Sequence, residues 1–142
     1  MAVLKNTLTL NDALKISSPL RFNMMFKPIG SVCNLDCSYC YYLDKKKMFA
    51  DNSVMPMSLL EKIIKDYIQI NNNEQIVFDW HGGEPLLLGV DYFKKIVDIQ
   101  NKYKCGKYVY NTIQTNATLM NDDFAKFFKD NGFLVGVSID GP

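Results

Sequence analysis

The chain has 142 residues, 48% of them hydrophobic, which is enough apolar material for one domain with a real core. Its 16 basic and 15 acidic residues leave a net charge of +1, so the composition argues against a nucleic-acid or anionic-membrane partner. No apolar run reaches the length of a membrane span, and the start lacks a signal-peptide pattern. We therefore expect a cytoplasmic protein, with an N-terminal extension over residues 1–19 and one domain over residues 20–142.

The predicted elements alternate between strands and helices along the chain. Strands are predicted where short apolar runs are bounded by turn residues, and helices where apolar residues recur at helical spacing. A capping box of Ser58 and Glu61 is predicted to start the first helix, and Asn121 is predicted to cap the third. In chain order we predict a strand over 20–27, a helix from 58 to the asparagines at 71–73, a strand over 76–80, a helix over 91–103, a strand over 108–114, a helix from 121 to 131–132, and a strand over 133–139.

This alternation predicts an α/β fold with a parallel sheet built from right-handed βαβ units. In such a sheet the loops that follow the strands lie at one edge, where α/β proteins place their binding sites. Residues suited to binding or chemistry follow the first, second and fourth predicted strands. We therefore expect them to lie close together.

The loop after the first strand contains Cys33, Cys37 and Cys40, three of the four cysteines of the chain. Thiolates at this C-x3-C-x2-C spacing can turn towards one centre, and they are the usual protein ligands of iron–sulfur clusters. A four-thiolate zinc site would need a second cysteine pair, and the fourth cysteine, Cys105, stands alone. A disulfide within the trio and three unrelated thiols are the alternatives. Cys105 is predicted to be a free thiol.

The second strand leads directly into His81, Gly82, Gly83, Glu84 and Pro85. Adjacent glycines allow backbone to approach a bound ligand, and a carboxylate can accept charge-assisted hydrogen bonds from an ammonium group. The alternative is an ordinary turn ended by Pro85, with Glu84 in solvent. His81 is either a proton carrier or a histidine held in the core by a hydrogen bond.

Ser138 ends the fourth predicted strand, where its hydroxyl can contact a ribose or an amino-acid group, or can bond to backbone in the core. The cysteine motif, with Tyr39 directly before its last cysteine, and the Gly-Gly-Glu-Pro segment together resemble the radical S-adenosylmethionine (SAM) enzymes. The resemblance becomes specific to one group of these enzymes through residues 133–142, 110–111 and 114–116. They are similar to the anaerobic sulfatase-maturating enzymes, radical SAM peptide modifiers that carry a C-terminal SPASM-type domain.

The resemblance implies a [4Fe–4S] cluster held by the three clustered cysteines, with SAM bound to the fourth iron through its amino and carboxylate groups. It implies that SAM is cleaved to a 5′-deoxyadenosyl radical, which takes a hydrogen atom from the substrate. The implied metal ligands are Cys33, Cys37 and Cys40, and the implied SAM-binding residues are Tyr39, Gly82, Gly83, Glu84 and Ser138.

The resemblance also implies a (β/α)6 partial TIM barrel, of which residues 20–142 would be the N-terminal portion with four strands. The general-base aspartate, the basic residue for the SAM carboxylate and any auxiliary-cluster cysteines would then follow Pro142. No catalytic residue is therefore assigned here, and we expect the fragment alone to be inactive. Two positions depart from the family pattern: Ala117 replaces the usual glycine, and His81 replaces a frequent glutamine.

The implied activity is an oxidoreductase reaction that converts a sulfatase cysteine or serine to formylglycine. The implied partners are a sulfatase or peptide substrate and an electron donor such as flavodoxin or ferredoxin. Three alternatives remain: thioether-type peptide maturation by the same radical, an inactive cluster-binding fragment, and a zinc-binding structural module.

Overall fold

The computed structural model describes residues 21–42 and 54–139. The predicted N-terminal extension over residues 1–19 and the end of the chain at residues 140–142 lie outside the described residues. None of the described helices combines the length and apolar character that a membrane crossing requires. The described elements are β1 (Met24–Phe26), α1 (Met57–Ile70), β2 (Gln75–Trp80), a 3₁₀ helix (Pro85–Leu88), α2 (Val90–Tyr103), β3 (Tyr108–Thr115), α3 (Asp122–Asp130) and β4 (Leu134–Val137).

The four strands form one sheet in the order β1-β2-β3-β4, and every neighbouring pair is parallel. Trp80 lies opposite Phe26 on one side and Ile113 on the other, and Ile113 lies opposite Val135. The predicted α/β fold with a parallel sheet is confirmed. Because consecutive strands are parallel neighbours, the loops that follow β1, β2 and β3 meet at one edge of the sheet, which we call the carboxyl edge.

The core lies between one face of the sheet and the helices. The ring of Phe78 stacks on Trp80 with centroids 5.8 Å apart, and Phe93 of α2 meets Trp80 edge-on at 6.4 Å. Such offset and T-shaped pairs suit the charge distribution of aromatic rings. The buried core residues are Phe26, Leu60, Ile64, Tyr67, Ile68, Ile76, Phe78, Trp80, Leu86, Phe93, Ile96, Ile99, Ile113, Phe124 and Phe128.

The opposite face of the sheet is open in the described part of the chain. Side chains alternate between the two faces of a strand, so the residues next to the core positions point to this open face. Met25 is 54% exposed there, Tyr108 65% and Leu134 70%. A shallow cavity of about 400 Å³ lies on this side, with Met25, Asp79, His81, Thr112, Gln114 and Leu134 among its lining residues.

The predicted capping box at the start of α1 is wrong. The helix begins at Met57 with Pro56 at the N-cap position, and no side chain caps it. Glu61 instead accepts hydrogen bonds from Lys102 and Tyr103 of α2, so it joins two helices rather than closing the first turn of its own. The second predicted cap is confirmed.

Asn121 caps α3 by accepting a hydrogen bond from the amide of Phe124 at 3.0 Å. The first and last strands are shorter than the predicted ranges 20–27 and 133–139. A turn follows β1 at once, in which the amide of Gly30 bonds to the carbonyl of Lys27 at 3.0 Å.

Candidate functional site at the carboxyl edge

The loop that carries the cysteines runs alongside the glycine segment that follows β2. The amide of Gly83 donates to the carbonyl of Gly30 at 2.9 Å, and the amide of Glu84 donates to the carbonyl of Val32 at 2.8 Å. These bonds continue the pairing of β1 and β2 beyond the strands themselves. They hold the backbone directly before Cys33 against the glycine segment.

Gly83 stands where no side chain fits. A Cβ atom at Gly83 would lie 1.9 Å from the carbonyl oxygen of Val32, and one at Gly82 would lie 2.8 Å from that of Gly30. Gly82 also has a φ of +134°, which favours glycine. The two glycines therefore permit one backbone segment to pack against another. That these glycines allow the backbone to approach a bound ligand stays a prediction.

Glu84 is fully buried, with 0% exposure. Its Oε1 accepts hydrogen bonds from the amide of Leu86 at 2.9 Å and the hydroxyl of Thr115 at 2.6 Å, and its Oε2 accepts one from the amide of Asn116 at 2.8 Å. The alternative that placed Glu84 in solvent is wrong. The carboxylate has three protein donors and ties the end of β2 to the end of β3. The predicted contact between Glu84 and an ammonium group stays a prediction.

Asn116, directly after β3, extends these contacts to the cysteine loop. Its Nδ2 donates to Asn34 Oδ1 at 3.0 Å and lies 3.7 Å from Cys33 Sγ, and its Oδ1 accepts from the amide and hydroxyl of Thr118 at 3.0 and 2.7 Å. The amide of Leu35 also approaches Cys33 Sγ, at 3.4 Å. We call the following set the edge network: Cys33, Asn34, Glu84, Thr115, Asn116 and Thr118.

Sequence reasoning missed this role of Asn116 and Thr118. Residues 114–116 were used only to make the family resemblance more specific, although their position could have indicated a role in the site. They are polar residues at the end of a predicted parallel strand, as the cysteine and glycine motifs are. Ala117 follows with a φ of +59°, the left-handed conformation that glycine adopts without strain.

All four cysteines are free thiols, so the predicted alternative of a disulfide is wrong. Cys33, Cys37 and Cys40 are half-buried, and the amide of Cys40 closes a turn onto the carbonyl of Cys37 at 2.9 Å. Cys105 is a free thiol, as predicted, and it is exposed. Among the residues that the structure describes, no three His, Cys, Asp or Glu side chains are arranged to hold a single metal ion.

A cubane cluster makes a different demand from a single ion, because each thiolate binds a different iron and the sulfurs need not converge on one point. Three free, partly exposed thiols fit such a cluster. The two N–H groups directed at Cys33 Sγ fit it as well, since hydrogen bonds to the sulfurs are usual in iron–sulfur sites. The assignment of Cys33, Cys37 and Cys40 as ligands stays a prediction.

The other residues predicted to bind SAM lie at the carboxyl edge or on the cysteine loop. Ser138 is exposed, so it is not a core serine. Its Oγ accepts from Gln114 Nε2 at 2.8 Å, and its amide donates to the carbonyl of Thr115 at 2.9 Å, which places it beside the edge network. Tyr39 is 68% exposed on the cysteine loop.

His81 is half-buried at the rim of the open-face cavity. Its Nδ1 accepts a hydrogen bond from the amide of Gly82 at 2.9 Å, which leaves the proton on Nε2. Burial lowers the pKa of His81, and the nearby positive charge of Lys27 lowers it further. The neutral imidazole therefore predominates at neutral pH.

A family model of the radical SAM superfamily matches residues 28–142 of the chain. The matched range includes the cysteine loop, the glycine segment and Ser138. It therefore spans every residue of the predicted site.

Curated proteins with similar sequences include sulfatase-maturating enzymes. The serine-type anaerobic sulfatase-maturating enzyme of Bacteroides thetaiotaomicron is 49% identical over 121 residues, which cover 84% of this chain and 29% of that protein. The cysteine-type enzyme of Clostridium novyi is 42% identical over 123 residues, which cover 84% of this chain and 32% of that protein. The chain thus spans about a third of the length of these relatives.

A solved structure described as native anSMEcpe with bound AdoMet and Kp18Cys peptide superposes with a TM-score of 0.77 at 38% identity. The match covers 84% of this chain and 32% of that one. The parallel arrangement of strands is therefore shared with that enzyme over most of the present chain.

Proposed function

The chain belongs to the radical SAM superfamily, and on this premise we propose that it binds a [4Fe–4S] cluster and SAM at the carboxyl edge of its sheet. One observation carries the proposal: the backbone bonds from Gly83 to Gly30 and from Glu84 to Val32. They hold the cysteine loop and the glycine segment against each other. A cluster on that loop would therefore lie beside the segment proposed to bind SAM.

In this proposal Cys33, Cys37 and Cys40 bind three irons, and the fourth iron is open to SAM. When bound, the cluster and SAM would supply the one-electron radical chemistry needed to take a hydrogen atom from a substrate. The protein's residues hold and orient the cofactors.

We propose that Tyr39, Gly82, Gly83 and Ser138 line the SAM site. Glu84 has a different role, because its buried carboxylate is already bonded to three protein donors. It contributes by fixing the glycine segment against the end of β3, and its own backbone amide and carbonyl bond to Val32 and Leu87. This assignment keeps Glu84 in the site and removes the need for a direct contact by its carboxylate.

We propose that the whole protein oxidises a cysteine or serine of a sulfatase to formylglycine. The identities with serine-type and cysteine-type sulfatase-maturating enzymes support this reaction, and the similar solved structure contains AdoMet and a peptide. A flavodoxin or ferredoxin is the proposed electron donor. The cytoplasm is the proposed compartment, because free clustered thiols persist in reducing surroundings.

Anaerobic reconstitution of the whole protein tests the proposal in two stages. Iron and sulfide analysis with electron paramagnetic resonance (EPR) spectroscopy reports the cluster, and formation of 5′-deoxyadenosine from SAM reports radical chemistry. Mass spectrometry of sulfatase-derived peptides, one with cysteine and one with serine at the target position, then reports formylglycine. A thioether product would favour the alternative maturase, and a cluster without SAM cleavage would favour the inactive remnant.

Single cysteine variants test the ligand assignment. Replacing Cys33, Cys37 or Cys40 with alanine removes a thiolate, so we expect each variant to lose most of its iron. Cys105→Ala is the matched control, because this exposed thiol lies outside the site, and it should keep the wild-type iron content. Equal iron loss in all four variants would show that the assigned ligands are wrong.

A further inference from the structure

The side-chain amide of Asn116 approaches the sulfur of Cys33 from the end of β3, an element distant in sequence from the cysteine loop. We propose that Asn116 is a positioning residue that raises the reduction potential of the cluster by donating an N–H to the Cys33 sulfur. This inference rests on the proposed function, since it requires Cys33 to be a cluster ligand.

The orientation of the Asn116 amide is determined by its other partners. Its Oδ1 accepts two hydrogen bonds from Thr118, one from the amide at 3.0 Å and one from the hydroxyl at 2.7 Å. A flipped amide would lose both bonds and turn its oxygen towards Asn34 Oδ1. The Nδ2 group therefore faces Asn34 and Cys33 Sγ, at 3.0 and 3.7 Å.

The backbone of Asn116 is anchored to Glu84, the residue whose own amide holds the backbone before Cys33. Its amide donates to Glu84 Oε2 at 2.8 Å, and the amide of Glu84 donates to the carbonyl of Val32 at 2.8 Å, next to Cys33. A short chain of bonds through a fully buried side chain therefore sets the distance between Asn116 Nδ2 and Cys33 Sγ.

The effect on the cluster follows from charge. Reduction adds an electron to the cluster and makes its sulfur ligands more negative, so an N–H donor stabilises the reduced form more than the oxidised form. The lower dielectric of a half-buried site strengthens the effect. The second donor to this sulfur, the amide of Leu35 at 3.4 Å, is backbone and survives side-chain substitution. Asn116 is thus the donor that substitution can change.

EPR-monitored redox titration of the anaerobically reconstituted protein measures this contribution. Asn116→Asp keeps the shape, removes the donor and adds negative charge. We expect it to lower the ratio of reduced to oxidised cluster about fivefold at a given ambient potential, a shift of about 40 mV for a one-electron couple. Asn116→Ala removes the donor without adding a charge and should shift the potential less, in the same direction.

Two controls separate the hydrogen bond from charge and from structure. Asn121→Asp makes the same asparagine-to-aspartate change five residues further along the chain and keeps the cap of α3. It should change the ratio of reduced to oxidised cluster less than twofold. Thr118→Val removes a hydroxyl partner that orients Asn116 without removing the donor. It should produce a shift smaller than that of Asn116→Asp.

The outcomes distinguish this inference from the function on which it rests. A wild-type protein without a cluster would overturn the proposed function. A cluster of unchanged potential in both Asn116 variants would overturn the inference and leave the proposed function intact. If both variants fail to assemble a cluster while Asn121→Asp assembles one, Asn116 is required for assembly and the tuning role is wrong.

Discussion

Two polar networks of this protein, one at the carboxyl edge and one in the core, use similar hydrogen bonds in different roles. The edge network joins the cysteine loop, the glycine segment and the end of β3. The second, which we call the helix network, consists of Trp80, Gln100 and Asn111. There, Asn111 Oδ1 accepts from Trp80 Nε1 and Gln100 Nε2, both at 2.8 Å, and Asn111 Nδ2 donates to Gln100 Oε1 at 2.9 Å.

The difference lies in where each network ends. The helix network closes on itself between α2 and the sheet, so its polar groups satisfy one another inside the core. The edge network ends on the sulfur of Cys33 and on exposed residues such as Asn34. Breaking the first should cost stability alone, whereas breaking the second should also change the content or the reduction potential of the cluster.

Gly83→Ala tests the edge network with the largest expected effect. Its Cβ would lie 1.9 Å from the carbonyl oxygen of Val32, so the cysteine loop must move. We expect loss of most of the iron and a free energy of unfolding lowered by about 3 kcal/mol, the upper end for overpacking. Iron analysis and urea denaturation measure the two effects.

Gly132→Ala is the control for Gly83→Ala. Gly132 has a φ of +64°, and no other group lies within 4 Å of the position that a Cβ would take. Alanine there adds only left-handed strain of about 1 kcal/mol. This variant should keep its iron. Normal iron content in Gly83→Ala would show that the cysteine loop does not depend on this backbone contact.

Glu84→Gln tests the buried carboxylate at nearly constant shape. The substitution weakens bonds made to a charged acceptor and turns an NH₂ group towards the amide of either Asn116 or Leu86. We expect a loss of about 2 kcal/mol in stability, since a buried donor is left unpaired, together with reduced iron content. Wild-type iron content in a folded Glu84→Gln protein would contradict the proposed positioning role.

Asn111→Leu tests the helix network in the same assays. The N–H of Trp80 and one N–H of Gln100 lose their acceptor inside the core, which should lower stability by about 2 kcal/mol. Iron content per folded protein should match the wild type, because no residue of this network contacts the cysteine loop. Iron loss as large as in Glu84→Gln would remove the distinction between the two networks.

Ala117→Gly has the smallest expected effect and the opposite sign. Ala117 adopts a φ of +59°, where a non-glycine residue is strained by about 1 kcal/mol, and glycine offsets part of the gain through the entropy of the unfolded chain. We expect a net stabilisation of about 0.5 kcal/mol by thermal denaturation.

Ala125→Gly, within helix α3, is the matched control for Ala117→Gly. Ala125 is exposed in a helix interior, so glycine there should destabilise by about 1 kcal/mol. The two alanine-to-glycine changes should therefore move the melting temperature in opposite directions. A fall in both variants would show that the turn at Ala117 is not strained.

Much of the fold was predictable because its signals are local. Apolar spacing located the helices to within a few residues, and Asn121 was correctly predicted as a cap. The capping box at Ser58 was wrong because Glu61 found partners on α2, a contact that local sequence does not encode. Among site residues, the glycine and cysteine motifs were found, whereas Asn116 was not, since its role depends on a neighbour more than eighty positions away.

The sequence alone determined the alternation of strands and helices, the parallel sheet and the presence of three motifs at one edge. These follow from residue periodicity and from the handedness of βαβ units. Only the tertiary structure decided that Gly83 packs on Val32, that Glu84 is bonded to three protein donors and that Asn116 faces Cys33. Such contacts depend on the register between segments far apart in the chain, which no local pattern specifies.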